Sequence, residues 1–417
     1  MSGIVLSASV RQNLLSLQDT AALLSTTQNR LATGNKVNSA LDNPTNFFTA
    51  QGLNNRASDI NNLLDSIGNG VQVLQAANTG ITSLQKLVDT AKSIANQVLQ
   101  APTGYSIKAS ATSAAPTGAG PLSAVGTAND LVNIGSGTAN SLKGETFVFT
   151  PATGAATTIT VTDTVAAGNV NSIDSFNAAL TSAGLGLTAS LASNGSITLT
   201  STNDNASQTL TTGTTAVANN IAISGTSTAA LVTPTGGSAG KPVADAASQA
   251  IRASLVGQYN NIITQISTTS HDSSFNGINL LSGDNLKLTF DETGKSTLNI
   301  TGVTFDAPGL GLGSLTSGTD FLDNNSANAA LTKLSAASTT LRTEASALGS
   351  NLSVVQLRQD FNKSLINVLQ TGASNLTLAD SNEEAANSQA LSTRQSIATS
   401  ALALANTSQQ SVLQLLR

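Results

Sequence analysis

Eight apolar residues between positions 74 and 98 constrain this chain more than any other feature. Leu74, Ala77, Ile81, Leu84, Val88, Ala91, Ala95 and Val98 recur at alternating three- and four-residue steps with no polar intrusion. That spacing puts all of them on one stripe of an α-helix, with the 3.5-residue repeat of a coiled-coil seam. Ile60, Leu64, Ile67 and Val71 extend the stripe upstream. A helix from about 46 to 100 is on the order of 80 Å long and cannot bury such a stripe within itself. It needs partner helices.

Both ends supply them. Val10, Leu14, Leu17, Ala21, Leu24 and Leu31 alternate four- and three-residue steps, with Gln28 in one slot. Gly34 breaks that pattern, and Asp42-Asn43-Pro44 offers a capping residue and a helix-start proline, so a connector is expected between about 34 and 45. Beyond the middle of the chain, 244–270 reads as a helix with Ile251, Leu255, Ile262 and Ile266 on one side. Leu286–Phe290, a turn through Asp291-Glu292-Thr293-Gly294, and Ser296–Ile300 read as a β-hairpin. After a Gly-rich connector, a helix over about 327–372 has the seam Leu334, Leu341, Ala345, Leu348, Leu352 and Val355, with Ser338 in one slot. A last helix, about 380–416, carries Ile397, Ala401, Leu404 and Leu415 at seam spacing, with Ser408 and Ser411 between them.

Residues 101–243 are different in kind. They are rich in Thr, Ser, Ala and Gly, and their charged residues are Lys108, Asp130, Lys143, Glu145, Asp163, Asp174, Asp204 and Lys241. Glu145–Thr150, Thr157–Thr162, Leu187–Leu191 and Ser196–Ser201 alternate apolar and small polar residues, as half-exposed strands do. Ser193-Asn194-Gly195 is a hairpin turn between the last two, and Ile173–Ala183 reads as a short helix. The flanks 101–142 and 203–243 are low in complexity. The expected fold is mainly α: a long coiled-coil or bundle core drawn from both chain ends, with a β-hairpin and an inserted, β-rich α+β outer domain. The expected domains are the terminal helices (1–45 with 375–417), the helical core (46–100 with 244–374, hairpin at about 286–300) and the surface-exposed insert (101–243).

Composition narrows the function. Charged residues make up 10% of the chain and the net charge is −5, so no basic field exists to hold nucleic acid or an anionic membrane. Cysteine is absent, which excludes disulfides, thiolate metal sites and a Cys nucleophile. The start, Met1-Ser2-Gly3-Ile4-Val5-Leu6, lacks the pattern of a Sec-type signal peptide, and no apolar run approaches the roughly 20 residues that span a bilayer. No nucleic-acid or membrane partner is expected.

Candidate chemistry is sparse. His271-Asp272-Ser273-Ser274 contains the residue types of a catalytic triad, but consecutive residues in one turn cannot adopt triad geometry by themselves. His271 is the single histidine, which excludes a His-Glu-x-x-His zinc helix. Asp380, Glu383 and Glu384 read as an acidic helix N-terminus favourable to the helix dipole. Gly34 and the glycines of 236–240 do not follow a strand in a phosphate-cradling pattern. No cofactor is expected and the chain does not read as an enzyme. The Ser/Thr-rich insert offers acceptors for O-glycosylation, or simply a solvated surface.

Three motifs resemble the bacterial flagellin family. Asn29-Arg30-Leu31-Ala32-Thr33-Gly34-Asn35-Lys36-Val37-Asn38-Ser39-Ala40-Leu41-Asp42-Asn43 is similar to the family's Arg-Leu-x-x-Gly-x-x-Ile/Val-Asn-Ser-Ala-x-Asp-Asp/Asn segment. Phe275-Asn276-Gly277-Ile278-Asn279-Leu280-Leu281 resembles the segment that leads into its β-hairpin. Ala403-Leu404-Ala405-Asn406 and Ser411-Val412-Leu413-Gln414-Leu415-Leu416-Arg417 resemble its C-terminal signature. The resemblance implies a subunit exported unfolded through the flagellar type III apparatus, with a chaperone, and polymerised at the tip under a cap, next to hook-associated proteins. It implies terminal helices innermost in the filament, the long inner helices as the next layer, and the variable domain outside. Two departures stand out. The large insert precedes the 244–270 helix, whereas the family usually places its variable region beyond the hairpin. In the stretch 84–91, which in many flagellins is read by an animal innate-immune receptor, Val88 replaces an expected basic residue and Thr90 an expected Leu, so weak agonism is expected. The main alternative is a hook–filament junction protein; a coiled-coil adhesin or secreted binding module displaying 101–243 is a rival of another class.

Overall fold

The computed structural model describes residues 8–113, 130–132, 142–192, 195–213, 220–225, 231–232 and 240–415. Helices occupy both ends: α1 (Ala8–Thr33) and α2 (Pro44–Gln100), then α4 (Ala246–Asp272), α5 (Asn324–Thr377) and α6 (Ser381–Leu415). A short helix, α3 (Ile173–Ser182), lies among the strands of the insert. Asn43 accepts from the Asn46 N–H at 3.1 Å with its side chain, just before the helix-start Pro44. The hairpin is β12 (Asn285–Thr289) and β13 (Thr297–Thr301).

The chain forms two compact units. One comprises Met1–Gln72, Leu286–Ile300 and Ser350–Arg417; the other comprises Val73–Asn285 and Thr301–Gly349. Helices α2 and α5 each contribute to both units.

In the first unit α1 runs against α6. Arg30, near the end of α1, meets Glu384 in the first turn of α6 at 3.3 Å, so the two helices are antiparallel. Ala57 and Ile60 of α2 form a small core with Ile366 and Leu369 of α5. The hairpin packs into this unit. Leu288 occupies the space that a Cβ on Gly70 would need, Arg358 lies over the Phe290 ring at 5.8 Å, and Asn362 donates to the Phe290 carbonyl at 3.0 Å.

In the second unit all eight residues of the Leu74–Val98 stripe are completely buried. Leu334, Ala337, Leu341 and Leu348 of α5 are buried likewise. Gly80 sits where a Cβ would collide with Ser273 and lie 2.7 Å from Leu281 Cδ1, so the chain leaving α4 approaches α2 closely. The buried face of α4 corrects the expected one. Ile251 is exposed; the buried positions are Ser248, Arg252, Leu255, Val256, Tyr259, Ile263, Ile266 and Ser270. Arg252 is thus a fully buried cation on an apolar stripe. Burial pushes the Tyr259 hydroxyl up to about 12.

The insert has its own core. One sheet has the order β5-β4-β3-β9-β8 and a second the order β10-β2-β7-β6. Their ranges are β2 (Ser110–Ser113), β3 (Thr146–Pro151), β4 (Thr157–Val161), β5 (Asn169–Val170), β6 (Leu187–Leu191), β7 (Ile197–Ser201), β8 (Thr209–Thr212), β9 (Asn220–Gly225) and β10 (Leu231–Val232). Phe147, Phe149, Phe176, Leu180, Ile197 and Leu199 are buried between them, with Phe176 edge-on to Phe147 at 5.1 Å. The four segments whose alternation predicts strands form them, and β3 pairs with β4, and β6 with β7, antiparallel. Of the predicted turn between β6 and β7, Ser193 and Asn194 lie outside the described residues; Gly195 has φ +82°. The low-complexity flanks hold the strands sequence reading left unassigned: β2, β8, β9 and β10, and the pair β1 (Tyr105–Ile107) with β11 (Val243–Ala244) that brackets the insert. The exposed edge of β6 is closed by α3: the Asn177 amide accepts from Ala189 N–H at 2.6 Å and donates to its carbonyl at 3.0 Å, which blocks further strand pairing there.

Candidate assembly surfaces

Which face each terminal helix turns toward the other follows from burial. On α1, Val10, Thr20 and Thr27 are buried and Leu17 and Leu24 half-buried. Half of the expected seam therefore faces α6, namely Val10, Leu17 and Leu24. The other column is Thr20 and Thr27, whereas Leu14 and Leu31 are 37% and 43% exposed, alongside exposed Leu15 and Leu23. The correction is larger on α6. Its inward residues are Glu384, Ser388, Leu391, Gln395, Ala398, Leu402 and Ala405, in unbroken heptad spacing. Ile397, Ala401 and Leu404, the expected seam, form a second stripe on the open side, where Ile397 is 64% and Leu404 73% exposed. The physical reason is that apolar residues occupy two columns of this helix, and α1 covers only one. Val412 and Leu415 belong to α6, but their side chains lie outside the described residues, as do Leu416 and Arg417; Asn406 is exposed.

Helix α5 repeats this two-column pattern. Val355, Ile366, Leu369 and Ala373 face inward. Val354, Leu357, Phe361 and Val368 are exposed at three-, four- and seven-residue steps, an outward stripe that sequence reading missed. Its signal was a second heptad register beside the first. Leu352 is half-buried, while Leu74, Ile81, Leu84, Val88, Leu341 and Leu348 are buried within the chain.

The family-like motifs build turns. Gly34 has φ +73°, where it ends α1. The Gly34 carbonyl accepts from Ala379 N–H at 2.9 Å, Lys36 N–H donates to the Thr377 carbonyl at 2.7 Å, and Asn35 pairs with Leu378, so the α1–α2 and α5–α6 connectors are knitted together. Asp42 accepts from the Asn38 and Ser39 N–H groups at 3.0 and 2.8 Å and from the Ser39 hydroxyl at 3.1 Å. Those bonds, the Ser39 N–H first, hold its carboxyl below the usual carboxylate range. At Phe275-Asn276-Gly277-Ile278, two reciprocal 3.0 Å backbone bonds close a turn with φ +50° at Asn276 and +81° at Gly277, the left-handed pair that an Asn-Gly turn serves.

No reactive constellation assembles at the candidate chemistry. The Ser273 hydroxyl donates to the Thr269 carbonyl at 2.6 Å, and His271 Nδ1 lies 3.3 Å from the Ser282 hydroxyl. Asp380 accepts from Asn382 and Glu383 N–H groups and caps α6, and Glu384 pairs with Arg30. Among the described residues no group of three or more His, Asp or Glu side chains gathers as a metal site, and no helix is long and apolar enough to cross a membrane.

Antiparallel terminal helices, second outward apolar stripes on α5 and α6, and an inserted α+β domain characterise a helical protein whose core is drawn from both chain ends. Residues 5–115 match the bacterial flagellin N-terminal helical region, and residues 331–416 match the bacterial flagellin C-terminal helical region. Both ends of the chain thus match the bacterial flagellin family, a family of structural proteins and not of enzymes. It is similar to Flagellin FljM of Caulobacter vibrioides (strain ATCC 19089 / CIP 103742 / CB 15), at 30% identity over 167 residues, 39% of this chain and 59% of that protein. Flagellin FljO of the same strain is 29% identical over 167 residues, again 39% and 59%. Flagellin A of Rhizobium meliloti is 37% identical over 90 residues, 22% of this chain and 23% of that protein. The chain spans less than two thirds of the length of the first two relatives.

Proposed function

We propose that this chain is a structural subunit that polymerises with copies of itself into an extracellular bacterial flagellar filament, the propeller for swimming. One observation carries the reading. Helices α5 and α6 bear apolar stripes at heptad spacing (Val354, Leu357, Phe361 and Val368; Ile397, Ala401 and Leu404) that their own chain leaves uncovered. Contiguous exposed apolar surface of this kind marks an interaction site, and a non-closing contact between identical subunits yields a helical polymer. In this reading α1 and α6 line the innermost layer, the α2 and α5 stretches form the next with α4, and 101–243 faces outward. The partners are the type III export apparatus with its chaperone, the filament cap and hook-associated proteins. Agonism at the animal receptor is weak, because Leu84, Val88 and Ala91 are buried and the basic side chains nearby are reduced to Lys86 and to Lys92, which lies 4.0 Å from Asp89. Seeded polymerisation followed by electron microscopy tests the assignment. Ile397→Asp with Leu404→Asp is expected to leave a folded monomer that forms no long filaments; filament growth equal to the parent refutes the reading.

A further inference from the structure

Residues 321–325, just before and at the start of α5, are held from two sides. On the inner side stands Arg252. Its Nε donates to the Pro102 carbonyl at 2.6 Å. One terminal nitrogen donates to the carbonyls of Phe321 and Asp323 at 2.6 and 3.3 Å. The other donates to the carbonyls of Val98 and Ala101 and to Asn324 Oδ1 at 3.1, 3.0 and 3.1 Å. One guanidinium thereby joins the end of α2, the strand of chain entering the insert and the start of α5, saturating its planar donor fork.

On the outer side stands the insert. Asn324 and Asn325 donate their N–H groups to the carbonyls of Asn203 and Asp204 at 3.2 and 3.0 Å. These are first-turn donors with no partner inside α5, so insert carbonyls cap that helix. The Ser207 hydroxyl donates to Asp323 Oδ2 at 2.6 Å, and Gly104 N–H donates to the Leu322 carbonyl at 3.0 Å. Between the two sides Phe321 has φ +62° with its ring fully buried, 5.8 Å from Tyr259 and edge-on to it. A left-handed aromatic residue is a backbone outlier, which persists where its surroundings over-determine it.

We infer that residues 321–325 form a two-sided latch, through which Arg252 and the insert loop 203–207 fix the orientation of the inserted domain on the helices it springs from. Among the described residues, the other hydrogen-bonded tie at the base of the insert, which has a core of its own, is the short β1–β11 ribbon. A helix cap serving α2 and α5 alone would leave the insert free to reorient. The latch does not depend on polymerisation and is testable in the monomer.

The chain contains no cysteine, so a spin-label pair on Ser182→Cys in the insert and Thr264→Cys on α4, both at exposed positions, reports that orientation without background. A narrow distance distribution is expected in the full-length parent. Arg252→Met is expected to broaden it. Ser207→Ala, which leaves every Arg252 bond intact, is expected to broaden it as well. In both variants amide exchange at Asn324 and Asn325 rises about tenfold or more, the worth of roughly one lost hydrogen bond, while β3 and β7 keep their protection. A broad distribution in the parent overturns the latch. So does an unchanged width in Ser207→Ala or in folded Arg252→Met.

Discussion

The two compact units use similar sequence patterns for opposite ends. In the unit of Val73–Asn285 and Thr301–Gly349, the large exposed apolar side chains among the described residues form no helical stripe: Ile107 and Val243 face each other across the β1–β11 pair, and Val165, Ile251, Phe275 and Val303 stand apart in sequence. Its heptad stripe on α2 is entirely buried. In the unit of Met1–Gln72, Leu286–Ile300 and Ser350–Arg417, exposed apolar residues of α5 and α6 fall in register (Val354, Leu357, Phe361 and Val368; Ile397 and Leu404), while inward positions hold Thr20, Thr27, Ser388 and Gln395. Isolated surface apolar residues need no explanation, but aligned ones do. A heptad stripe therefore reports that a helix needs a partner. It does not report whether that partner is in the same chain.

Substitutions that treat the two units alike should break them unequally. Leu84→Ala, in the buried stripe, is expected to cost about 2–5 kcal/mol in urea unfolding of the monomer, while Ile397→Ala stays within about 0.5 kcal/mol. Equal losses would erase the distinction. Gly80→Ala is next: the new Cβ meets Ser273 and Leu281, and over-packing of this kind costs about 1–3 kcal/mol. Gly52→Ala, with nothing within 4 Å of the new Cβ, should instead stabilise α2 by up to about 1 kcal/mol. Glu384→Gln should cost about 1 kcal/mol or less, because Arg30 remains 37% exposed, and circular dichroism melts should register it as earlier loss of terminal helix. The smallest effect is on acidification. Asp42 is lowered from 3.8 in the folded chain, so its contribution is complete above that value and is lost as pH falls through the lower, folded one. Exchange of the Asn38 and Ser39 amides should accelerate below that range in the parent, and Asp42→Asn should abolish the pH dependence.

Several elements were legible in advance for plain reasons. The hairpin turn carries Gly294 at φ +71°, the first break carries Gly34, and Asn276-Gly277 forms the turn its residue types favour. The strands β3, β4, β6 and β7 alternate clearly. The strands of the flanks do not, because Thr, Ser, Ala and Gly differ too little in polarity to mark a face. Arg252 was illegible for the opposite reason. A cation reads as solvent-facing, and only carbonyls from segments about seventy and one hundred and fifty residues away make its burial favourable.

The sequence alone determined that long helices flank an inserted α+β domain, because a 3.5-residue repeat and a two-residue repeat are local properties of the chain. The Leu74–Val98 stripe is the strongest case: uninterrupted, it admits one buried face and found it. Tertiary structure decided which of two adjacent apolar columns on α5 and α6 turns inward. Neighbouring heptad columns are almost equally apolar there, so covering one and leaving the other open depends on which helix arrives to pack, and that contact is not local.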